Sequence, residues 1–234
     1  MAGGFFDIIV IMKIGIFDSG KGGTTIYRAI KKILPSEEYL YVADSKNCPY
    51  GEKTDEELMK IVTKIVDDLK EWGAEIIVIA CNTATTRCIE RLRKMYPELL
   101  FVGTEPAIKL AARSNHNRIL VMATPGTIES ERTKSLLAEN KKNGQTIKLL
   151  ACPGLADTIE NGLDLDKKLD ELLSKEKEYD AVVLGCTHYS LIKDEIQKFF
   201  PNAELVDGCE GVARQVEKLI KKIEPNGSKY NGGR

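Results

Sequence analysis

The sequence predicts an α/β protein built on parallel sheets. Short apolar runs rich in β-branched residues alternate along the 234-residue chain with longer segments whose apolar residues recur at helical spacing. This alternation is typical of βαβ units, and runs that are apolar throughout indicate strands covered on both faces. We predict strands at 14–17, 39–43, 76–80, 99–103, 118–123, 146–151, 181–185 and 203–206.

The segments between these runs predict amphipathic helices. In DEELMKIVTKIVDDLKEW, residues 55–72, the apolar residues Leu58, Val62, Ile65 and Leu69 fall on one stripe that a sheet can bury. Comparable segments predict further helices at 24–34, 85–96, 191–200 and 211–223.

Two domains are predicted, although no Gly/Ser-rich linker divides the chain. Each half contains one strand that ends in a cysteine followed by a helix. We place the crossover near Glu105 and Pro106 and the return near Gly208, so the first domain comprises 12–105 plus 208–226 and the second 106–207. The last helix is expected to pack on the first domain. Met12 is an alternative start, in which case residues 1–11 are an upstream extension.

Composition excludes several classes of function. The formal net charge is -1, which gives no general attraction to nucleic acid or to an anionic membrane, and no segment reaches the roughly 20 apolar residues of a membrane span. The six cysteines and two histidines show no zinc-ligand spacing, so we expect no metal. We expect reduced thiols, a cytoplasmic location and a small-molecule partner.

Two short stretches carry the chemistry. IACNTAT (79–85) and LGCTHYS (184–190) each place a cysteine and polar side chains where an apolar strand ends and a helix begins. Ligands of open parallel sheets bind at this edge, and the free N–H groups of a helix start suit a carboxylate. The helix dipole is expected to lower the pKa of each thiol.

The residues leave several interpretations of Cys81 and Cys186 open. Either cysteine alone is compatible with inert packing, because free cysteine behaves as a small hydrophobe. A nucleophilic enzyme needs one cysteine and an orienting histidine, and a redox enzyme needs two sulfurs close enough to bond. In a third arrangement, one thiolate removes a proton from a carbon and the opposite thiol returns one, which inverts the stereocentre.

The glycine-rich turn FDSGKGGTT suggests a dinucleotide site, but the pattern is incomplete. Thr25 occupies the place of the third glycine in G-x-G-x-x-G. Glycines that shape a tight turn explain the stretch better. They do not explain Asp18 and Ser19, which stand at the carboxyl end of the first strand where ligands bind.

Taken together, the motifs resemble those of glutamate racemase, in the cofactor-independent Asp/Glu racemase superfamily. FDSGKGG, CPYG, IACNTAT, GTEPAIKLA, ATPGTIES and LGCTHYSLI occur in the family's order between Met12 and about residue 223. The resemblance implies two pseudo-symmetric α/β domains with the active site in the cleft between them. It also implies interconversion of L- and D-glutamate for peptidoglycan synthesis without pyridoxal phosphate or metal, and paired subunits forming a homodimer.

The resemblance assigns roles to particular residues. It implies that Cys81 and Cys186 are the acid/base pair, that Asp18 assists the first thiol, and that His188 and Glu160 assist the second. The implied substrate-binding residues are Asp18, Ser19, Tyr50, Gly51, Asn82, Thr83, Thr187 and His188.

The chain also departs from the family pattern. Ser190 replaces a proline after the second cysteine, and CPGLADT, residues 152–158, replaces a more apolar segment just before Glu160. These departures leave open a racemase of another amino acid such as aspartate and a protein that binds an amino acid without catalysis. A thiol redox enzyme stays open as well, because it too would use two cysteines.

Overall fold

The computed structural model describes residues 11–223 and contains two parallel sheets. Of the possible N-terminal extension, residues 1–11, only the last lies among the described residues. The end of the first predicted domain, 224–226, lies outside them. The strands are β1 (Lys13–Asp18), β2 (Glu38–Ala43), β3 (Ile76–Ile79), β4 (Leu100–Gly103), β5 (Arg118–Ala123), β6 (Thr146–Ala151), β7 (Ala181–Leu184) and β8 (Glu204–Val206). Each differs from its predicted bounds by no more than one residue at either end, which confirms the α/β fold class.

Both sheets have the same topology. The first has the order β2-β1-β3-β4 and the second β6-β5-β7-β8, with all strands parallel. In each sheet the direction of the connections reverses between the two central strands, β1 and β3 or β5 and β7. Open parallel sheets bind ligands at the carboxyl ends of the strands beside such a reversal.

Helices cover both faces of each sheet. They are α1 (Thr24–Ile33), α2 (Asp55–Glu71), α3 (Asn82–Met95), α4 (Ile108–Arg113), α5 (Pro125–Glu129), α6 (Glu131–Asn140), α7 (Leu155–Asn161), α8 (Leu165–Leu173), α9 (Lys193–Phe199) and α10 (Cys209–Ile223). On the first sheet, α2 and α3 pack against one face while α1 and α10 pack against the other. The last helix therefore lies on the first half, as the sequence led us to expect.

The chain passes between the halves at two neighbouring places. A Cβ atom on Gly208 would lie 3.4 Å from the carbonyl oxygen of Glu105, so the two crossings run side by side. A pair of adjacent crossings is suited to a hinge between rigid bodies. The domain limits predicted at these points stay a prediction. Within residues 11–223, no helix has the length and apolar character needed to cross a membrane.

Candidate active site

The two cysteines occupy equivalent positions in the two sheets. Ile79, the last residue of β3, pairs with β1, and Cys81 follows it by two residues. Leu184, the last residue of β7, pairs with β5, and Cys186 follows it by two residues. Cys81 caps α3, whereas Cys186 precedes a 3-10 helix, Thr187–Ile192, that leads into α9. Both are nearly inaccessible, with exposures of 5% and 7%. The repeated strand topology therefore places one buried thiol in each half.

Asp18 and Ser19 lie beside the first thiol. The Ser19 hydroxyl oxygen is 3.8 Å from the Cys81 sulfur. Asp18 is fully buried, and its Oδ2 accepts hydrogen bonds from the Gly23 N–H at 2.6 Å and from the Thr187 hydroxyl at 3.2 Å. Thr187 belongs to the second half, so the Asp18 carboxylate joins both sides of the cleft.

The second oxygen of Asp18, Oδ1, has no hydrogen-bond partner among the described residues. Burial raises the pKa of Asp18, and the nearby His188 and the hydrogen bonds from Gly23 and Thr187 only partly oppose that increase. A buried carboxylate with an unsatisfied oxygen strongly favours a cationic hydrogen-bond donor. An ammonium group has the required charge and geometry.

Burial also controls the two thiols, and this corrects the expected pKa direction. Burial raises the pKa of Cys81 to about 12, with a further increase from the charge of Asp18. Hydrogen bonds from the N–H groups of Thr83 and Ala84 at the start of α3 lower the pKa of Cys81, but by less than burial raises it. Burial likewise raises the pKa of Cys186, followed by the charges of Cys81 and Asp18. Desolvation therefore outweighs the helix start, and both thiols hold their protons in this structure.

His188 and Glu160 form a line behind the second thiol. His188 is fully buried, with Nδ1 at 3.9 Å from the Cys186 sulfur and Nε2 at 2.8 Å from Glu160 Oε2. Burial acts to raise the pKa of Glu160, but hydrogen bonds from Ser45, the Lys21 N–H and His188 hold it below its ordinary value. The structure thus brings Glu160, which follows the altered segment 152–158, into contact with His188.

Asn82 and Thr83 lie in the first turn of α3, which begins three residues earlier than predicted, and both are buried. The Thr83 hydroxyl lies 2.9 Å from that of Thr124 and 3.1 Å from that of Thr127. Thr124 is the N-cap of α5 in the second half, and Thr127 lies in the first turn of that helix. Three hydroxyls from both halves therefore meet at one point.

The sequence analysis missed Thr124 and Thr127. The register shows that Thr124 follows β5 as Ser19 follows β1, because Met122 and Phe17 occupy equivalent pairs in their sheets. Aligning the two halves on their cysteines would have shown this equivalence. The motif ATPGTIES contains both threonines, yet it contributed to the resemblance only as a whole.

Tyr50 and Gly51 approach the site by their backbone. The Tyr50 side chain is buried, and its hydroxyl donates a hydrogen bond to Asp44 at 2.7 Å. A Cβ atom on Gly51 would lie 2.6 Å from the Cβ atom and 2.9 Å from the hydroxyl oxygen of Thr124, so only glycine lets this backbone approach Thr124 so closely.

The glycine-rich turn after β1 packs against the second half. A Cβ atom on Gly22 would lie 2.6 Å from the backbone nitrogen of His188 and 2.7 Å from the Thr187 hydroxyl. Gly22 has no positive φ, so space and not conformation requires glycine here. The other half of the chain occupies the side of the turn where a dinucleotide phosphate would have to bind.

Comparison with known proteins identifies the family. The sequence pattern of the family Asp/Glu/Hydantoin racemase matches residues 14–216. The chain belongs to this family. A glutamate racemase from Clostridium novyi (strain NT) is 41% identical over 227 residues, covering 93% of this chain and 87% of the relative. One from Clostridium acetobutylicum is 37% identical over 218 residues, covering 90% and 85%.

Solved racemase structures share the architecture. Escherichia coli glutamate racemase in complex with L-glutamate and the activator UDP-MurNAc-ala superposes with a TM-score of 0.80 at 32% identity, covering 95% of this chain and 87% of that one. Glutamate racemase from Aquifex pyrophilus gives 0.73 at 35% identity, with 89% and 84% covered. These findings confirm the resemblance and the two-domain fold, and they make this chain a racemase, an enzyme of the isomerase class.

The altered segment of this racemase still builds a packed helix start. Residues 152–154 form the turn between β6 and α7, and 155–158 are the first residues of α7; Gly154 has a φ of 73°, in the left-handed region that favours glycine. Leu155 and Ala156 are buried, whereas Asp157 faces outward enough to accept a hydrogen bond from Asn161. Glu160 is thus carried on an anchored helix despite the changed sequence.

The racemase cleft is closed in this structure. Between the loop at Pro49 to Glu52 and the segments at Thr124 and Cys152, the cavity measures only about 10 Å³. That volume is at the lower limit for a single water molecule. Cys81 and Cys186 are also nearly inaccessible, so a substrate reaches them only when the two halves move apart.

Proposed function

We propose that this chain is a glutamate racemase that interconverts L- and D-glutamate. Cys81 and Cys186 act as the acid/base pair, one thiolate removing the Cα proton while the opposite thiol protonates the other face. The observation that carries the proposal is the equivalent placement of the two buried thiols, one at the carboxyl end of the third strand of each half. Two symmetric proton donors facing one site suit a reaction whose substrate and product are mirror images.

The polar groups of the cleft match the charges of glutamate. The unpartnered oxygen of Asp18 suits the substrate ammonium. The helix starts at Asn82 and Thr187 offer N–H and side-chain donors to the α-carboxylate. The second carboxylate fits the point where the hydroxyls of Thr83, Thr124 and Thr127 meet beside the Gly51 backbone. Each charged group of the substrate thereby finds donors or an acceptor.

Substrate binding also supplies the thiolate. The charge of Asp18 contributes to the raised pKa of both thiols, and an ammonium group beside Asp18 cancels that charge. The pKa of both thiols then falls, although burial, the larger cause of the increase, remains, and the Cys186 proton can pass to His188 Nδ1 at 3.9 Å. Burial remains essential, because a thiolate removes a proton from carbon only where preorganised donors stabilise the carbanion and water is excluded.

His188 and Glu160 support the second thiol. The imidazole lies between Cys186 and the Glu160 carboxylate, so it can stabilise the thiolate or relay a proton while the carboxylate fixes its orientation.

The names of the relatives, all glutamate racemases at 36–41% identity among those compared, support glutamate as the substrate. We further propose a cytoplasmic homodimer that supplies D-glutamate for peptidoglycan.

The test follows deuterium and chirality together. The protein is incubated in deuterated water with L-glutamate, and separately with D-glutamate and with each enantiomer of aspartate. Inverted glutamate carrying deuterium at Cα is the expected result. Cys81→Ser and Cys186→Ser should each lower kcat/KM by roughly 10²- to 10⁴-fold, the contribution of one acid/base group. Cys88→Ala, in the helix α3 that Cys81 caps, is the matched control variant.

Three results would contradict the proposal. Exchange of the Cα proton of aspartate, with none for glutamate, would show that aspartate is the substrate. A reversible Cys81–Cys186 disulfide after mild oxidation, without exchange, would indicate redox chemistry. Tight glutamate binding measured by calorimetry, again without exchange, would indicate a binding protein.

A further inference from the structure

Glu160 is held from across the cleft. Its Oε1 accepts a hydrogen bond from the Ser45 hydroxyl, and its Oε2 accepts one from the Lys21 N–H at 2.9 Å. The Lys21 ammonium donates to the Glu160 backbone carbonyl at 2.8 Å. Ser45 and Lys21 follow β2 and β1 in the first half, whereas Glu160 belongs to α7 in the second. Every one of these contacts must break when the halves separate.

The two thiols differ in where their supporting groups come from. Cys81 is flanked by Asp18 and Ser19, which belong to the same sheet and remain beside it in any position of the halves. The line behind Cys186, which runs through His188 to Glu160, ends instead on donors from the opposite half. Within residues 11–223, closure adds only the Thr187 hydrogen bond to Asp18 beside the first thiol, whereas it supplies the donors that hold Glu160 behind the second thiol.

The glycine-rich turn makes this contact possible. A Cβ atom on Gly20 would lie 2.5 Å from Glu160 Oε2. The φ of Gly20 is -174°, an extended value open to any residue, so the glycine is required by the approach of the carboxylate. This requirement is independent of the Ser45 and Lys21 hydrogen bonds and points to the same contact.

We propose that Ser45 and Lys21 are positioning residues that form a closure latch, holding Glu160 against His188 behind Cys186 only while the cleft is shut. The proposal rests on the proposed racemase function. It adds that closure of the cleft assembles the groups that support Cys186. Ser45 and Lys21 both lie at the exposed rim. Because both donors are exposed, water can replace these hydrogen bonds when the halves separate, so the latch can open in every catalytic cycle.

Removing the Ser45 hydroxyl tests the latch. Ser45→Ala should lower kcat roughly tenfold, the loss expected for one hydrogen bond to a charged group, with KM changed less than about twofold. Ser45→Thr keeps a hydroxyl and should restore kcat. In a Glu160→Ala background, Ser45→Ala should add little further loss, since both residues act through one contact. Lys46→Ala, at an exposed position in the same short 3-10 helix, Ser45–Asn47, is the control.

A second readout is independent of turnover. Iodoacetamide labelling, followed by mass spectrometry, should modify Cys186 faster in Ser45→Ala than in the parent protein, with Cys88 in the same sample as the reference. Unchanged labelling and unchanged kcat in Ser45→Ala would overturn the latch even if the parent protein racemises glutamate. Faster labelling in a protein that does not racemise glutamate would leave the latch standing and reject the proposed function.

Discussion

Gly22→Ala is the sharpest test of the closed cleft. The added Cβ would lie 2.6 Å from the His188 nitrogen, and ordinary contact begins at 3.4 Å, so the second half must retreat by about 0.8 Å. The nearest neighbour is backbone, which cannot rotate away as a side chain could. The retreat also separates the Thr187 hydroxyl from Asp18.

The expected result is a catalytic loss without unfolding. A misplacement of about 1 Å can cost about 100-fold in rate, so we expect kcat/KM for glutamate to fall by about that factor in both directions. The assay is chiral analysis of glutamate over time, with the melting temperature measured in parallel. Because the clash lies between the halves, opening relieves it and each half keeps its own core.

Gly211→Ala is the matched control. Gly211 lies in α10 with nothing within 4 Å of its added Cβ, so alanine should leave kcat/KM unchanged and stabilise the helix by about 1 kcal/mol. Full activity in Gly22→Ala would refute the reasoning, because it would mean that catalysis does not require the closed contact. Equal losses in both variants would show that the effect is not steric.

Two further predictions concern buried polar groups. Thr127→Val removes a hydroxyl from the cluster of Thr83, Thr124 and Thr127 and should raise KM for glutamate roughly tenfold. Thr133→Val, at an equally buried position in α6, should leave KM unchanged. An unchanged KM in Thr127→Val would mean that the second substrate carboxylate binds elsewhere. Asp18→Asn should abolish racemisation yet raise the melting temperature at pH 7, because burial raises the pKa of Asp18 above 3.8 and its ionisation therefore opposes folding. The melting-temperature gain should shrink as the pH falls toward 3.8, where Asp18 in the unfolded chain is protonated as well, and a pH-independent gain would contradict the assignment.

Local patterns were enough to locate the acid/base candidates. Strand runs followed by CNTAT and CTHYS predicted that Cys81 and Cys186 lie at strand ends, because parallel strands of a βαβ fold all present their carboxyl ends at one edge. The structure places both there. The same patterns gave the wrong pKa direction, since they show the helix start but not the burial that outweighs it.

The sequence by itself determined the order of the strands, five of the ten α-helices among residues 11–223, the repeated layout of the halves and the positions of the two thiols, because periodicity and chain direction are local properties. Only the tertiary structure decided which residues meet across the cleft. Ser45 and Glu160 are 115 positions apart, and Lys21 and Glu160 are 139 apart. Such contacts depend on how two separately packed sheets dock, and desolvation of Asp18 and the cysteines follows from that docking.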